Sequence, residues 1–379
     1  MGNRKKITLL LVIALCLMFG VLVYQFFSEP FFLLQDKAQI ASDSIQSIGL
    51  KEKATQRNHL NKRRLLSSAD ENEEVSEGYI FDCSKAVVEE VGNPKKVHEE
   101  FIATLKQSSF PEHQLGAILF DNNINENERF NLLLNYKNKH TETPSLMMDI
   151  IGRCSGREIS CDDSLIEQAI ELDGNNSALW LLLANYYFEK KNIDSALKAM
   201  DSAVRASDFN DFYYDDVSLY VRTSKGLLDV PLAHRVISGI GILAAKPLWI
   251  SEVAHFCLNS ENLTAQQNYL CLETGKLMEH NASLSIANMI GVQFQEKAYE
   301  REGNDELLAS IKLHANKMEA WSTTHNDSFV LSTFDEGLFL YWLDSAMHYG
   351  ESKAQQMLIE EAITLSKNEY YNPCPQYKD

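Results

Sequence analysis

The chain has 379 residues, 45% of them hydrophobic and 23% charged, a balance that excludes wholesale disorder. Charge is lopsided: residues 1–66 carry ten Lys/Arg against four Asp/Glu, whereas residues 67–379 carry 25 against 49. A body this acidic is repelled by nucleic acid and by anionic lipid, and suits basic partners or cations; its simplest use is solubility.

Residues 1–6 are a short tail holding Arg4, Lys5 and Lys6. Residues 7–27, ITLLLVIALCLMFGVLVYQFF, contain no charge. A helix of this length spans about 31 Å, enough to cross the hydrocarbon core. Tyr24, Phe26 and Phe27 gather at its far end, where aromatic rings suit the interface. No A-x-A-like cleavage site follows the apolar run, and Leu15 before Cys16 does not fit a lipoprotein signal. The segment therefore reads as an uncleaved anchor. Bases precede it, and Glu29 and Asp36 come first after it, so the N-terminus is expected in the cytoplasm and the body in the periplasm, on an inner membrane crossed once.

Residues 28–78 read as a polar stalk. Lys62-Arg63-Arg64 and the acidic run from Asp70 to Glu77 leave little apolar surface to bury, although Ile40, Ile45 and Ile48 mark a short amphipathic stretch. Residues 79–379 read as helix after helix, with apolar residues at spacings of three and four. Pro94, Pro111, Pro144, Pro231 and Pro247 fall at expected boundaries. Gly303 and Gly350 fall at the turns of two expected helix pairs, 282–321 and 335–367.

The clearest pattern is residues 177–210, SALWLLLANYYFEKKNIDSALKAMDSAVRASDFN. Small residues Ala184, Ala196 and Ala203 allow two antiparallel helices to approach, and Trp180, Leu183, Tyr187 and Met200 fill the space around them. Asp194 is placed to cap the second helix. Ala169 lies 34 residues before Ala203, so the register continues upstream. On these residues the segment resembles a tetratricopeptide repeat, with Asp208 where the family usually has proline. The resemblance is clear over residues 164–210 and degenerate elsewhere. It implies an all-α fold, an α-solenoid of stacked helix pairs with a concave groove. In that family the groove is lined at the positions occupied here by Ala178, Leu181, Asn185 and Phe188, and the Asn185 amide could hold a peptide backbone; the alternative is that Leu181 and Phe188 are core.

Six cysteines follow the anchor, and six permit 15 pairings. Cys154 and Cys161 bracket a short polar loop, Cys257 and Cys271 lie on consecutive helices, and Cys83 is left with Cys374; the alternative is buried free thiols. No metal or cofactor is expected: there is no C-x-x-C or H-E-x-x-H, and His255 beside Cys257 has no second pair. Gly239-Ile240-Gly241-Ile242-Leu243-Ala244 fits G-x-G-x-x-A, but a helical stretch precedes it instead of a strand. N-x-S/T sequons at Asn175, Asn262, Asn281 and Asn326 read as incidental in a bacterial envelope protein. Resemblance to membrane-anchored tetratricopeptide proteins implies a non-enzymatic adaptor for a protein or peptide partner, in envelope assembly, secretion or cofactor maturation. The alternatives are a structural subunit of an envelope complex, or an enzyme whose site carries no recognised motif.

Overall fold

The computed structural model describes residues 79–83, 94–154, 159, 161–244, 250–320 and 322–374. The anchor expected at 7–27 and the stalk at 28–78 lie outside the described residues. Among those described, no helix is long and apolar enough to cross a membrane. Glu74–Ser84 together with Lys95–Cys374 form one compact unit, described below. The second unit, Met1–Glu73, Lys85–Pro94 and Pro375–Asp379, falls almost wholly outside the described residues.

The described chain is all-helical, with no strand. Sixteen helices follow one another: α1 (Pro94–Gln107), α2 (Pro111–Phe120), α3 (Glu126–Lys137), α4 (Pro144–Cys154), α5 (Asp163–Asp173), α6 (Ser177–Glu189), α7 (Ile193–Arg205) and α8 (Tyr213–Ser224) come first. After them run α9 (Leu232–Ala244), α10 (Ser251–Asn259), α11 (Ala265–Asn281), α12 (Ser285–Glu302), α13 (Asp305–Ala320), α14 (Ser322–Phe334), α15 (Glu336–Tyr349) and α16 (Glu351–Ser366).

Local chemistry sets the boundaries. Proline opens α1, α2 and α4, where a missing N–H costs nothing. Asn125, Asp162 and Asp335 accept hydrogen bonds from the first free amides of α3, α5 and α15. Thr264 and Gln267 close a reciprocal capping box on α11. Gly303 between α12 and α13, and Gly350 between α15 and α16, have positive φ of 67° and 77°. Both helix pairs read from the sequence therefore turn where glycine permits.

The pairs do not stack in chain order throughout. The α6/α7 pair packs on α4 and α5 before it; after it, α10 lies on α6 and α11 on α7. The intervening pair α8/α9 steps aside, packing instead on α2 and on α14 and α15. Aromatic rings at both ends of α8 fix this detour. Tyr220 meets Phe101 and Phe120 edge-on at centroid distances of 5.3 and 5.0 Å, and Tyr214 meets Trp342 at 5.7 Å. The all-helical chain of packed helix pairs is consistent with the expected α-solenoid, with one pair leaving the row to join its first helices to its last.

Candidate functional site

The repeat segment forms two helices, α6 and α7, with the turn at Lys190–Asn192. Ala169, Leu183, Ala184, Ala196, Met200 and Ala203 are fully buried, as close helix approach requires. Trp180 is only partly buried, and its Nε1 donates to the Gly174 carbonyl at 2.7 Å, closing the preceding loop. Tyr187 is half-buried against Tyr186. The cap expected of Asp194 belongs instead to Asn192, whose side chain accepts from Ser195 N–H. The reason is backbone: Lys191 takes a left-handed φ of 58°, and the helix begins at Ile193.

The residues expected to line an open groove face the chain itself. Ala178 and Leu181 are fully buried, and Asn185 is 1% exposed. The Asn185 Oδ1 accepts from the Glu252 backbone N–H at 2.7 Å. Phe188 stacks on Phe256, with centroids 4.7 Å apart and planes 28° from parallel. Helix α10 has no cap of its own, because Ile250 precedes it. Asn185 supplies that cap from 67 residues away. The amide does hold a backbone, as its chemistry predicts, but the backbone is the chain's own.

The six cysteines lie in three pairs. Cys83–Cys374, Cys154–Cys161 and Cys257–Cys271 have Cα–Cα distances of 5.6, 5.4 and 5.5 Å, within disulfide geometry. The Cys154–Cys161 loop is pinned by α6: Lys190 Nζ donates to the Ile159 carbonyl at 3.1 Å and Tyr186 Oη to that of Cys161 at 3.4 Å.

The remaining motifs serve packing. Gly239 and Gly241 sit inside α9, and a Cβ at Gly239 would come within 3.2 Å of the Tyr220 ring. His255 Nδ1 bonds to Asn259 within α10, and Cys257 is in a disulfide. Among the described residues no three His, Cys, Asp or Glu side chains are arranged to hold a metal. Asn175, Asn262 and Asn281 are exposed; the Asn326 side chain lies outside the described residues.

Three arrangements were not read from the sequence. Buried Arg129 donates to the Leu119 and Asp121 carbonyls, both at 2.8 Å, capping α2; burial pushes its guanidinium pKa down. Asp121 is buried, which works to raise its carboxyl, but Lys106 at 2.5 Å and the Asn123 amide outweigh burial and hold it below the usual range. Asp211 accepts from Ser283 Oγ and from Tyr213 N–H, while its Oδ2 is sealed from solvent without a partner; burial first, then Asp215, pushes its carboxyl up.

The chain matches no protein-family profile, and no curated protein or solved structure is significantly similar to it.

Proposed function

We propose that this chain is a membrane-anchored, tetratricopeptide-like adaptor that holds a protein partner on the exported, periplasmic side of the inner membrane. The observation that carries the reading is the helix pair α6/α7, whose small residues pack at zero exposure in a 34-residue register. Two features support export: the charge-free run at 7–27 with Arg4, Lys5 and Lys6 directly before it and Glu29 and Asp36 first after it, and six cysteines in three pairs beyond it. The acidic composition suits a basic partner surface.

A second reading, a structural subunit of an envelope complex, is favoured by one observation. Helix α10 covers Asn185 and Phe188, so the face that would take a peptide is already spent on packing. Capture from a detergent extract, by cross-linking to the full chain, separates the two. A transient partner in substoichiometric amounts supports the adaptor, and a fixed stoichiometric complex supports the structural role. Recovery of no partner, together with turnover of a small molecule, would overturn both.

A further inference from the structure

The three disulfides differ in what surrounds them. Cys154, Cys257 and Cys271 are wholly buried, and Cys161 is 6% exposed. Cys374 differs: it lies in the segment after α16, partly exposed, with the Asp82 carbonyl 3.9 Å from its sulfur. Its partner Cys83 is buried. An attacking thiolate must approach one sulfur in line with the S–S bond, so access at Cys374 decides which bond can open.

The bond also joins two ends of the body. Residues 79–83 lead back toward the proposed anchor, and Cys374 follows the last helix, 291 positions on. Beside the bond, Phe81 ties residues 79–83 to the end of the body. Phe81 N–H donates to Ser366 Oγ at 2.8 Å, and the Phe81 ring meets Tyr371 edge-on at 6.4 Å. Tyr371 in turn donates from Oη to Asp335 Oδ2 at 2.8 Å. The other two bonds span only 7 and 14 positions, each within one local helix pair, so opening them would free no distant segment.

We propose that Cys83–Cys374 is a reducible latch: a dithiol oxidoreductase attacks Cys374 Sγ and so releases the segment that leads to the anchor from α16. One thiolate of the dithiol forms a mixed disulfide with Cys374 and expels the Cys83 thiolate, which takes up a proton. The second thiol of the reductant then attacks its own half of the mixed disulfide and releases Cys374, which is protonated in turn. Two electrons and two protons pass to the chain, and the reductant leaves as a disulfide. The latch rests on the exported reading only for where such a dithiol would be met.

Purified full chain, first confirmed by mass to carry three disulfides, is exposed to graded dithiothreitol, quenched by alkylation and mapped by peptide mass. Six free thiols at the start would sink the exported reading and leave no latch to open. With three bonds present, Cys83 and Cys374 are expected to label at a dithiothreitol concentration at least about tenfold below that for the other four, with helical circular dichroism retained. Hydrogen exchange at residues 79–83 is expected to rise at the same concentration, and in a Cys83→Ser, Cys374→Ser variant without reductant. Opening of either buried pair at the same or lower concentration overturns the selectivity. Unchanged exchange at 79–83 after opening overturns the release.

Discussion

Asn176 and Asn210, one 34-residue period apart, bond to each other in both directions: the Asn176 Nδ2 donates to the Asn210 carbonyl at 2.8 Å, and the Asn210 N–H donates to Asn176 Oδ1 at 2.9 Å. The same Asn176 Oδ1 caps α6 through the Ala178 amide, and its Nδ2 also reaches Asp173. Beside them Ser177 N–H meets the Asp208 carbonyl, and Asp208 N–H that of Asn175. The loops before and after the helix pair are thus stitched together, which holds α6 and α7 in register at their open end. Asn176→Ala removes a cap and leaves buried groups unpaired. It is expected to cost about 2–4 kcal/mol, read as a lower urea midpoint with unchanged slope. A loss under about 0.5 kcal/mol would show that the stitch carries no stability.

Gly275 on α11 and Gly291 on α12 mark a second place where backbone approaches backbone. A Cβ at either would lie 2.6 Å from the other's carbonyl oxygen, and one at Gly291 would also lie 2.7 Å from Glu279 N. Neither obstacle is a side chain that can swing away. Gly275→Ala and Gly291→Ala are each expected to destabilise by about 1–3 kcal/mol or more. Because the first alanine already parts the helices, the double variant should lose less than the sum of the two. Thermal melts of the three variants test this, and strict additivity would argue that the helices do not meet there.

Why some of this was legible in the sequence and some was not follows from range. Ala196 and Ala203 announce their burial because seven residues, two helical turns, put them on one face of α7, a local property. Gly303 and Gly350 announce turns because φ is local too. The chemistry of Asn185 was legible, but its partner was not, since Glu252 comes near only through tertiary packing. The detour of α8/α9 was hidden for the same reason: Tyr214 and Tyr220 look like ordinary core positions until Trp342 and Phe101 stand beside them. The close approach at Gly275 and Gly291 was not read from the sequence, because a helix crossing has no one-dimensional signature.

The Asn185 cap separates folding from binding. Asn185→Ala leaves the Glu252 amide unpaired at the start of a nine-residue helix that lacks its own cap. The expected loss is about 1–2 kcal/mol, with faster hydrogen exchange concentrated in residues 251–254. Asn185→Asp keeps the acceptor and should restore most of the protection. Exchange that is unaltered in α10 would mean that the helix does not depend on the repeat face.

The pH response of Asp211 has a definite sign. Its folded carboxyl is held above the usual range, chiefly by burial, with Asp215 adding repulsion and Ser283 and Tyr213 N–H working the other way. The folded state therefore binds this proton more tightly than the unfolded state, whose carboxyl titrates near about 3.9. The stability this proton confers is complete below the unfolded value and is lost as pH rises through the folded one. At neutral pH the charged carboxylate is a penalty, with Oδ2 sealed and unpartnered. Asp211→Asn, which cannot ionise, should accordingly be more stable than the parent at pH 7, and the gap should close toward pH 4. Paired urea titrations across that range isolate this residue, because every other group is common to both proteins. A gap that instead widens on acidification would place the Asp211 carboxyl below its ordinary value and reverse the reading of its surroundings.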